Sequence, residues 1–171
     1  MDLAAIILQL YPTAIPLVDF TISRTFIGEP TISRWNTAKL GAQPTAAKLD
    51  TAWPSVQLGI ARAAQSALIK SAFLTASTAN VTDANGIAWE GGMASGNSIF
   101  LGCQLAQQMG QTSITLFDAA KAPHSMTIAE GMSVAALIGS AYQTALGQKN
   151  ALYAQIDAAT TVSAVQTVVW P

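Results

Sequence analysis

The sequence is short of charge. Of its 171 residues, 8 are Lys or Arg and 9 are Asp or Glu, together 10% of the chain, against about 25% in an average soluble protein. A folded monomer of this length exposes roughly 8,000 Å² by the usual scaling, which is one charge per about 470 Å². Other absences exclude whole classes. The formal net charge is −1 and no basic run occurs, so the clustered Lys and Arg that phosphate backbones require are missing. One cysteine, Cys103, excludes a disulfide framework, and one histidine, His124, excludes the common His/Cys metal sites. The apolar stretch Leu3 to Leu8 is far shorter than the roughly 20 residues of a membrane span. Asp2 stands where a signal peptide would carry basic residues. The expectation is a chain folded in a reducing cytoplasm, without a membrane span.

What the chain has is neutral. Apolar residues make up 51%, enough for a core. There are 32 Ala and 47 Ser, Thr, Asn and Gln. Small neutral side chains cost little entropy to immobilise and little free energy to desolvate. Such a surface suits a protein packed against other subunits.

The hydropathy pattern predicts an α+β chain. Leu3 to Tyr11 reads as a short helix stopped by Pro12. Val18, Phe20 and Ile22 alternate with polar neighbours, as does Thr31–Trp35, and Phe26-Ile-Gly-Glu-Pro30 between them supplies turn residues. Thr45 caps a small helix that ends at Trp53-Pro54. Residues 1–54 thus form a first unit of helix, hairpin and short helix.

Residues 55–171 form the second. A long helix is predicted from Ser55 to about Thr75, with Val56, Ile60, Ala64, Ala67, Ser71 and Leu74 on its buried face. Asn80 to Trp89 reads as a hairpin around Asp83-Ala84-Asn85-Gly86, because Asn-Gly accepts positive φ. Gly91 to Asn97 is read as a loop before a helix from Ser98 to Gln108, with Ile99, Cys103, Ala106 and Met109 inward and Gly110 as the stop. Ser113–Phe117 and Ala122–Met126 form a third hairpin. Thr127 and Glu130 make a capping box for a helix to about Ala159, with an apolar stripe of Val134, Ile138, Ala141, Ala145, Leu152 and Ile156. Thr160 or Thr161 caps a last helix holding Val162, Val165 and Val168. The architecture expected is helices packed on short antiparallel hairpins, with a long C-terminal helix.

Little in this sequence carries chemistry. His124 and Cys103 have no evident partner, no G-x-S-x-G elbow occurs, and Cys103 sits on an apolar helix face as a small hydrophobe. Most carboxylates fit turns or caps, Glu90 beside Gly91-Gly92 being the exception. Gly91 to Ser98 has the glycines of an anion nest but neither the Lys nor the spacing of a phosphate loop. The expectation is no enzyme, with no catalytic residue, cofactor or metal. Trp35, Trp53, Trp89 and Trp170 are core anchors or contact residues, since Trp is enriched at interaction hot spots. The candidate interface residues are Trp89, Met93, Trp35 and Trp170.

Gly86-Ile-Ala-Trp-Glu-Gly91 with Ser95, Gln111 to Asp118, His124-Ser-Met-Thr127 and the long helix resemble an uncharacterised C-terminal domain of bacteriophage tail proteins. The close of the chain, Gln155 to Trp170, carries the resemblance furthest. The first unit is similar to short tail-fibre or baseplate-associated proteins, through the initial helix ending in Tyr11-Pro12, Asp19-Phe20, Trp35 and Gln43-Pro44-Thr45. The resemblance implies a structural component of a phage tail, made in the host bacterial cytoplasm and incorporated into the virion tail. There it would contact fibre or baseplate subunits as a homo- or hetero-oligomer and serve host attachment. A non-virion tail-fibre chaperone is the alternative. A polysaccharide depolymerase would need paired carboxylates on a larger scaffold.

Overall fold

The computed structural model describes residues 1–24 and 28–171. The expected turn around Phe26 and Ile27 lies outside the described residues. The chain is α+β. Its order is α1 (Leu3–Leu10), β1 (Phe20–Ser23), β2 (Thr31–Trp35), α2 (Thr37–Leu40), α3 (Ala46–Ser77), β3 (Val81–Thr82), β4 (Ala88–Trp89), α4 (Met93–Gln108), β5 (Ser113–Phe117), β6 (Pro123–Thr127), α5 (Ile128–Ala158) and α6 (Val162–Gln166). The strands pair antiparallel as β1–β2, β3–β4 and β5–β6, three separate two-stranded sheets. Two compact units emerge: residues 1–64 with 159–166, and residues 65–158 with 167–171.

In the first unit, the Asp2 side chain accepts from Ala5 N at 3.1 Å and starts α1, which ends before Pro12 as expected. Its Leu3, Ile6 and Ile7 pack with Ala14, Phe20, Leu49 and Val56 in one core. Burying each large side chain contributes about 2 kcal/mol. The strand begins at Phe20, not Val18, which is 62% exposed. The preceding residues form a turn instead, with Asp19 N bonded to Ile15 O. A register shift between Thr21 and Ile22 places a bulge in β1–β2. The four-residue α2, capped by Asn36, was not expected from the sequence.

Thr45 does cap α3, accepting from Lys48 N at 3.3 Å. The helix then runs through Pro54, so the expected stop at Trp53-Pro54 and the boundary at 54/55 both fall inside one element. A mid-helix proline forfeits a hydrogen bond and crowds the preceding turn, at about 3 kcal/mol. Leu49, Ala52, Trp53 and Val56 bracket Pro54 and all join the same core, which offsets that cost. Arg62 donates to Ala159 O at 2.8 Å within this unit. Thr161 caps α6, accepting from Ala164 N at 3.1 Å, and Val165 is fully buried.

In the second unit α5 is the spine. It packs on α4, on β5 and β6, and on β3. Its capping box forms as expected, Glu130 Oε2 accepting from Thr127 N at 2.7 Å and Thr127 Oγ1 from Glu130 N at 3.3 Å. The core is Trp89, Leu116, Val134 and Ile138, with Val81, Ile87, Ile99, Ile114 and Met126 against it. Gly86, at φ +82°, closes the turn of β3–β4, donating to Asp83 O at 3.0 Å.

Three expectations fail here. α4 starts five residues before Ser98, so residues 93–97 are helix rather than loop; Gly92, at φ +97°, occupies the N-cap. Gly96 lies inside the helix because a Cβ there would meet Ile138 Cγ2 at 3.2 Å; its absence lets α4 approach α5. Of the buried face expected for α3, Val56 is buried and the rest of the stripe is exposed. Gln65, Ile69, Phe73 and Ser77 point inward, while Ile60 and Leu74 are 49% and 55% exposed. Aromatic and β-branched bulk decided the buried face, and the alanine spacing carried no information. Ala141 and Met109 are likewise exposed, not buried.

Candidate interaction surfaces

The four candidate interface residues separate. Trp89 is 0% exposed and cannot anchor a partner. Strand β4 turns it onto Val134 and Ile138 of α5. Its Nε1 donates to Asp83 Oδ2 at 3.0 Å, and its ring meets the edge of His124 at 5.5 Å. Trp35 is half-buried in the first unit. It packs against Tyr11 (5.1 Å, edge-on) and Phe20 (6.5 Å) and donates from Nε1 to Gly41 O at 2.8 Å. Trp170 is half-buried at the end of the chain. Met93 reaches a groove of about 390 Å³ lined also by Gly96, Phe100, Met132, Ala135 and Gly139. Of the four, Met93 lines an apolar groove.

His124 has a partner that the sequence did not reveal. Its Nε2 lies 2.9 Å from Asp118 Oδ2. Position 124 faces Leu116 across β5–β6, and Asp118 follows the strand, so the hairpin register brings the two together. The bond to His124, then that from Ala122 N, holds the Asp118 carboxyl below its ordinary value. Asp83 is lowered as well, first by the Trp89 bond and then by the N–H groups of Ile87 and Asn85. Beside them opens a cleft of about 620 Å³ whose polar lining includes Asp83, Asn85, His124, Ser125, Glu130 and Ser133. The carboxylates there are bonded locally: Asp83 holds its own turn and Trp89, Asp118 its own turn and His124, and Glu130 the α5 cap. Cys103 is fully buried, and burial pushes its thiol up, away from the reactive thiolate. Among the described residues no three His, Cys, Asp or Glu side chains come together to hold a metal. Glu90 meets Lys121 in an exposed ion pair.

Both units present large apolar side chains to solvent. In the first, Ile15, Leu17 and Val18 are 51%, 78% and 62% exposed. In the second, Leu101, Leu105 and Met109 protrude from α4, with Phe117 exposed on β5. Sequence reasoning missed the α4 set by assigning Met109 to the buried face. The signal was available as a row of large apolar residues four apart in a helix with no charge. No helix among the described residues is long and apolar enough to cross a membrane.

No curated protein and no solved structure matches the chain. Residues 3–59, a stretch within the first unit, match the model of the XkdW protein family, and through that stretch the chain is similar to a phage-related family.

Proposed function

We propose that the chain is a structural subunit of a phage tail, in the fibre or baseplate assembly, acting through contacts with other tail proteins and without catalysis. The observation that carries this reading is the match of residues 3–59 to a phage-related family. Two further observations support it. The surface holds few charges and many exposed apolar side chains, the composition that interface cores favour. The polar groups around His124 are bonded to one another and serve the hairpins that carry them.

Mass spectrometry of purified particles tests the proposal. Stoichiometric presence with other tail proteins is the expected result. Absence from particles, with the chain bound to fibre protein in the infected cell, would overturn it in favour of an assembly chaperone. His124→Ala and Cys103→Ala should each leave incorporation and infectivity nearly intact. Normal incorporation with lost infectivity would overturn the non-catalytic part.

A further inference from the structure

The hairpin of β5 and β6 has two edges, and they differ. Asp118 N donates to Ala122 O at 3.1 Å at one end of it, and Ile128 N to Thr112 O at 3.4 Å at the other. Between them Leu116 lies opposite His124 and Ile114 opposite Met126. Antiparallel alternation therefore points the N–H and C=O of Ile114 and Leu116 into the hairpin. Those of Ser113, Thr115 and Phe117 on β5, and of Pro123, Ser125 and Thr127 on β6, point outward. On β6 that edge is blunted: Pro123 has no N–H, and Thr127 N is taken by Glu130 Oε2 at 2.7 Å. On β5 the outward backbone groups have no hydrogen-bond partner among the described residues. All three residues are exposed, and an open recess of about 540 Å³, lined by residues 110–115, leaves room beside the strand.

The other hairpins carry devices against edge pairing. A bulge and the exposed Arg34 interrupt β1–β2, and β3 and β4 are two residues each. Strand β5, Ser-Ile-Thr-Leu-Phe, has no charge, proline, glycine or bulge and is rich in β-formers. A row of unpaired backbone groups takes one kind of occupant, another extended strand. A strand selected by charge would need a charge on β5 to meet.

We propose that two copies of this chain pair edge to edge through β5, antiparallel, about a twofold axis at Thr115. The contact goes beyond the tail reading, since it follows from the strand edge alone. The outward groups at Ser113, Thr115 and Phe117 are spaced evenly about Thr115, so the edge is its own complement. Thr115 exchanges both its backbone bonds with Thr115 of the second copy, and Ser113 exchanges its pair with Phe117. The sheet then runs β6–β5–β5–β6 through both copies. A twofold axis sets like side chains together, which destabilises charged strands. Here Thr115 meets Thr115, a favourable cross-strand pair, and Phe117, 61% exposed, lies across from Ser113. The blunted β6 edge ends the sheet on each side, so association stops at two copies instead of growing into a fibre.

Sedimentation of the purified full chain from low to high micromolar concentration, with amide hydrogen exchange read residue by residue, tests this. The expected result is a dimer that forms with concentration. The N–H groups of Ser113, Thr115 and Phe117 should exchange fast in the monomer and slow by about tenfold as the dimer fills, while that of Ser125 stays fast in both. Thr115→Lys sets two ammonium groups at the axis and should weaken the dimer about tenfold or more. Its helicity and melting temperature should hold, because the side chain is exposed. A monomer at every concentration would overturn the proposal. So would a dimer in which the three amides stay fast, or one that a folded Thr115→Lys leaves intact. Should Thr115→Lys not fold, wild-type exchange decides alone. Protection of the three amides only on adding a different tail protein would overturn the second copy as occupant.

Discussion

Asp19 in the first unit and Asp83 in the second both turn their carboxylates inward, and they organise the chain over different ranges. Asp19 is 1% exposed. It accepts from Ile15 N at 2.8 Å, from the Lys39 ammonium at 2.6 Å and from Asn36 Nδ2 at 3.2 Å. Those partners span residues 15 to 39, so one charge ties a turn to β2 and α2. Arg34 adds bonds to the carbonyls of Leu17 and Val18. In the second unit, Asp83 reaches only to Trp89, Asp118 to His124, and Glu130 back to Thr127. Those carboxylates shape single turns; a long-range bond there is a neutral one, from Gln65 Nε2 to Val168 O at 2.6 Å, and close approach supplies further tertiary order. A Cβ on Gly131 would sit 2.7 Å from Cys103 Sγ and 3.3 Å from Ile114 Cγ2. The lesson is that a charge-poor chain can fix its fold through one long-range ionic network or through glycine-permitted contact.

If the second unit depends on contact, Gly131→Ala should produce the largest effect. Overpacking at that distance costs about 3 kcal/mol. Ala returns about 1 kcal/mol as the better helix former. The net loss is therefore about 2 kcal/mol, read as a lower melting temperature of the second unit. Adding Cys103→Ala should recover part of it, so that the double variant is less unstable than the two losses combined. Wild-type stability of Gly131→Ala would break the comparison.

The first unit should instead respond to acid through Asp19. Its carboxyl is held below the ordinary range by the Lys39 bond first and Ile15 N second. A carboxyl lowered in the folded state stabilises it above the unfolded value, near pH 4, and that stability is lost as pH falls through the folded value. Asp19→Asn should lower the first unit's stability at neutral pH by less than Gly131→Ala lowers the second's. It should also flatten the first unit's decline below about pH 4. Asp83, Asp118 and Glu130 are lowered too, so the second unit keeps its own acid sensitivity in this variant. Hydrogen exchange resolved by segment separates the two. An unchanged acid profile in residues 15–39 would remove Asp19 from its organising role.

Thr127→Ala comes next, at about 1 kcal/mol, because it deletes one half of the α5 cap. A melting temperature equal to wild type would show that packing along α5 makes its cap dispensable.

The sequence made the local structure legible and the tertiary choices less so. Asn85-Gly86, Thr127 with Glu130 and Gly110 each specify a turn or an end through their own backbone chemistry and appear where the pattern put them, and the last helix takes Thr161 of the two caps offered, Thr160 and Thr161. Pro54 misled because its cost is local while the packing that offsets it, Leu49 and Val56 against α1, is distant in sequence. The face of α3 was lost because alanines recur on every side of it, leaving Ile69 and Phe73 as the decisive residues. The Asp118–His124 pair needed the register of β5–β6, which composition does not encode. Trp89 went to the core because it packs with Leu116 of β5 and the Val134–Ile138 face of α5, partners far from it in sequence.

The smallest effect expected concerns backbone strain, of which each unit holds one instance among the described residues. Leu17 in the first and Lys121 in the second both sit at φ +66°. The left-handed region costs a residue with a Cβ about 1–2 kcal/mol. Glycine removes that cost and gives back up to about 1 kcal/mol in unfolded-state entropy. Leu17→Gly should therefore gain about 0.5 kcal/mol, a rise of roughly 1–2 °C in melting temperature. It deletes no packing, since the side chain is 78% exposed. Lys121→Gly relieves the same strain but also removes the ion pair with Glu90, whose side chains are 68% and 54% exposed. Pairs that open to water contribute little, so its gain should be nearly as large. A clear loss of stability in Lys121→Gly alone would mean that the second unit also leans on an ionic contact, and the contrast between the units would narrow to Asp19.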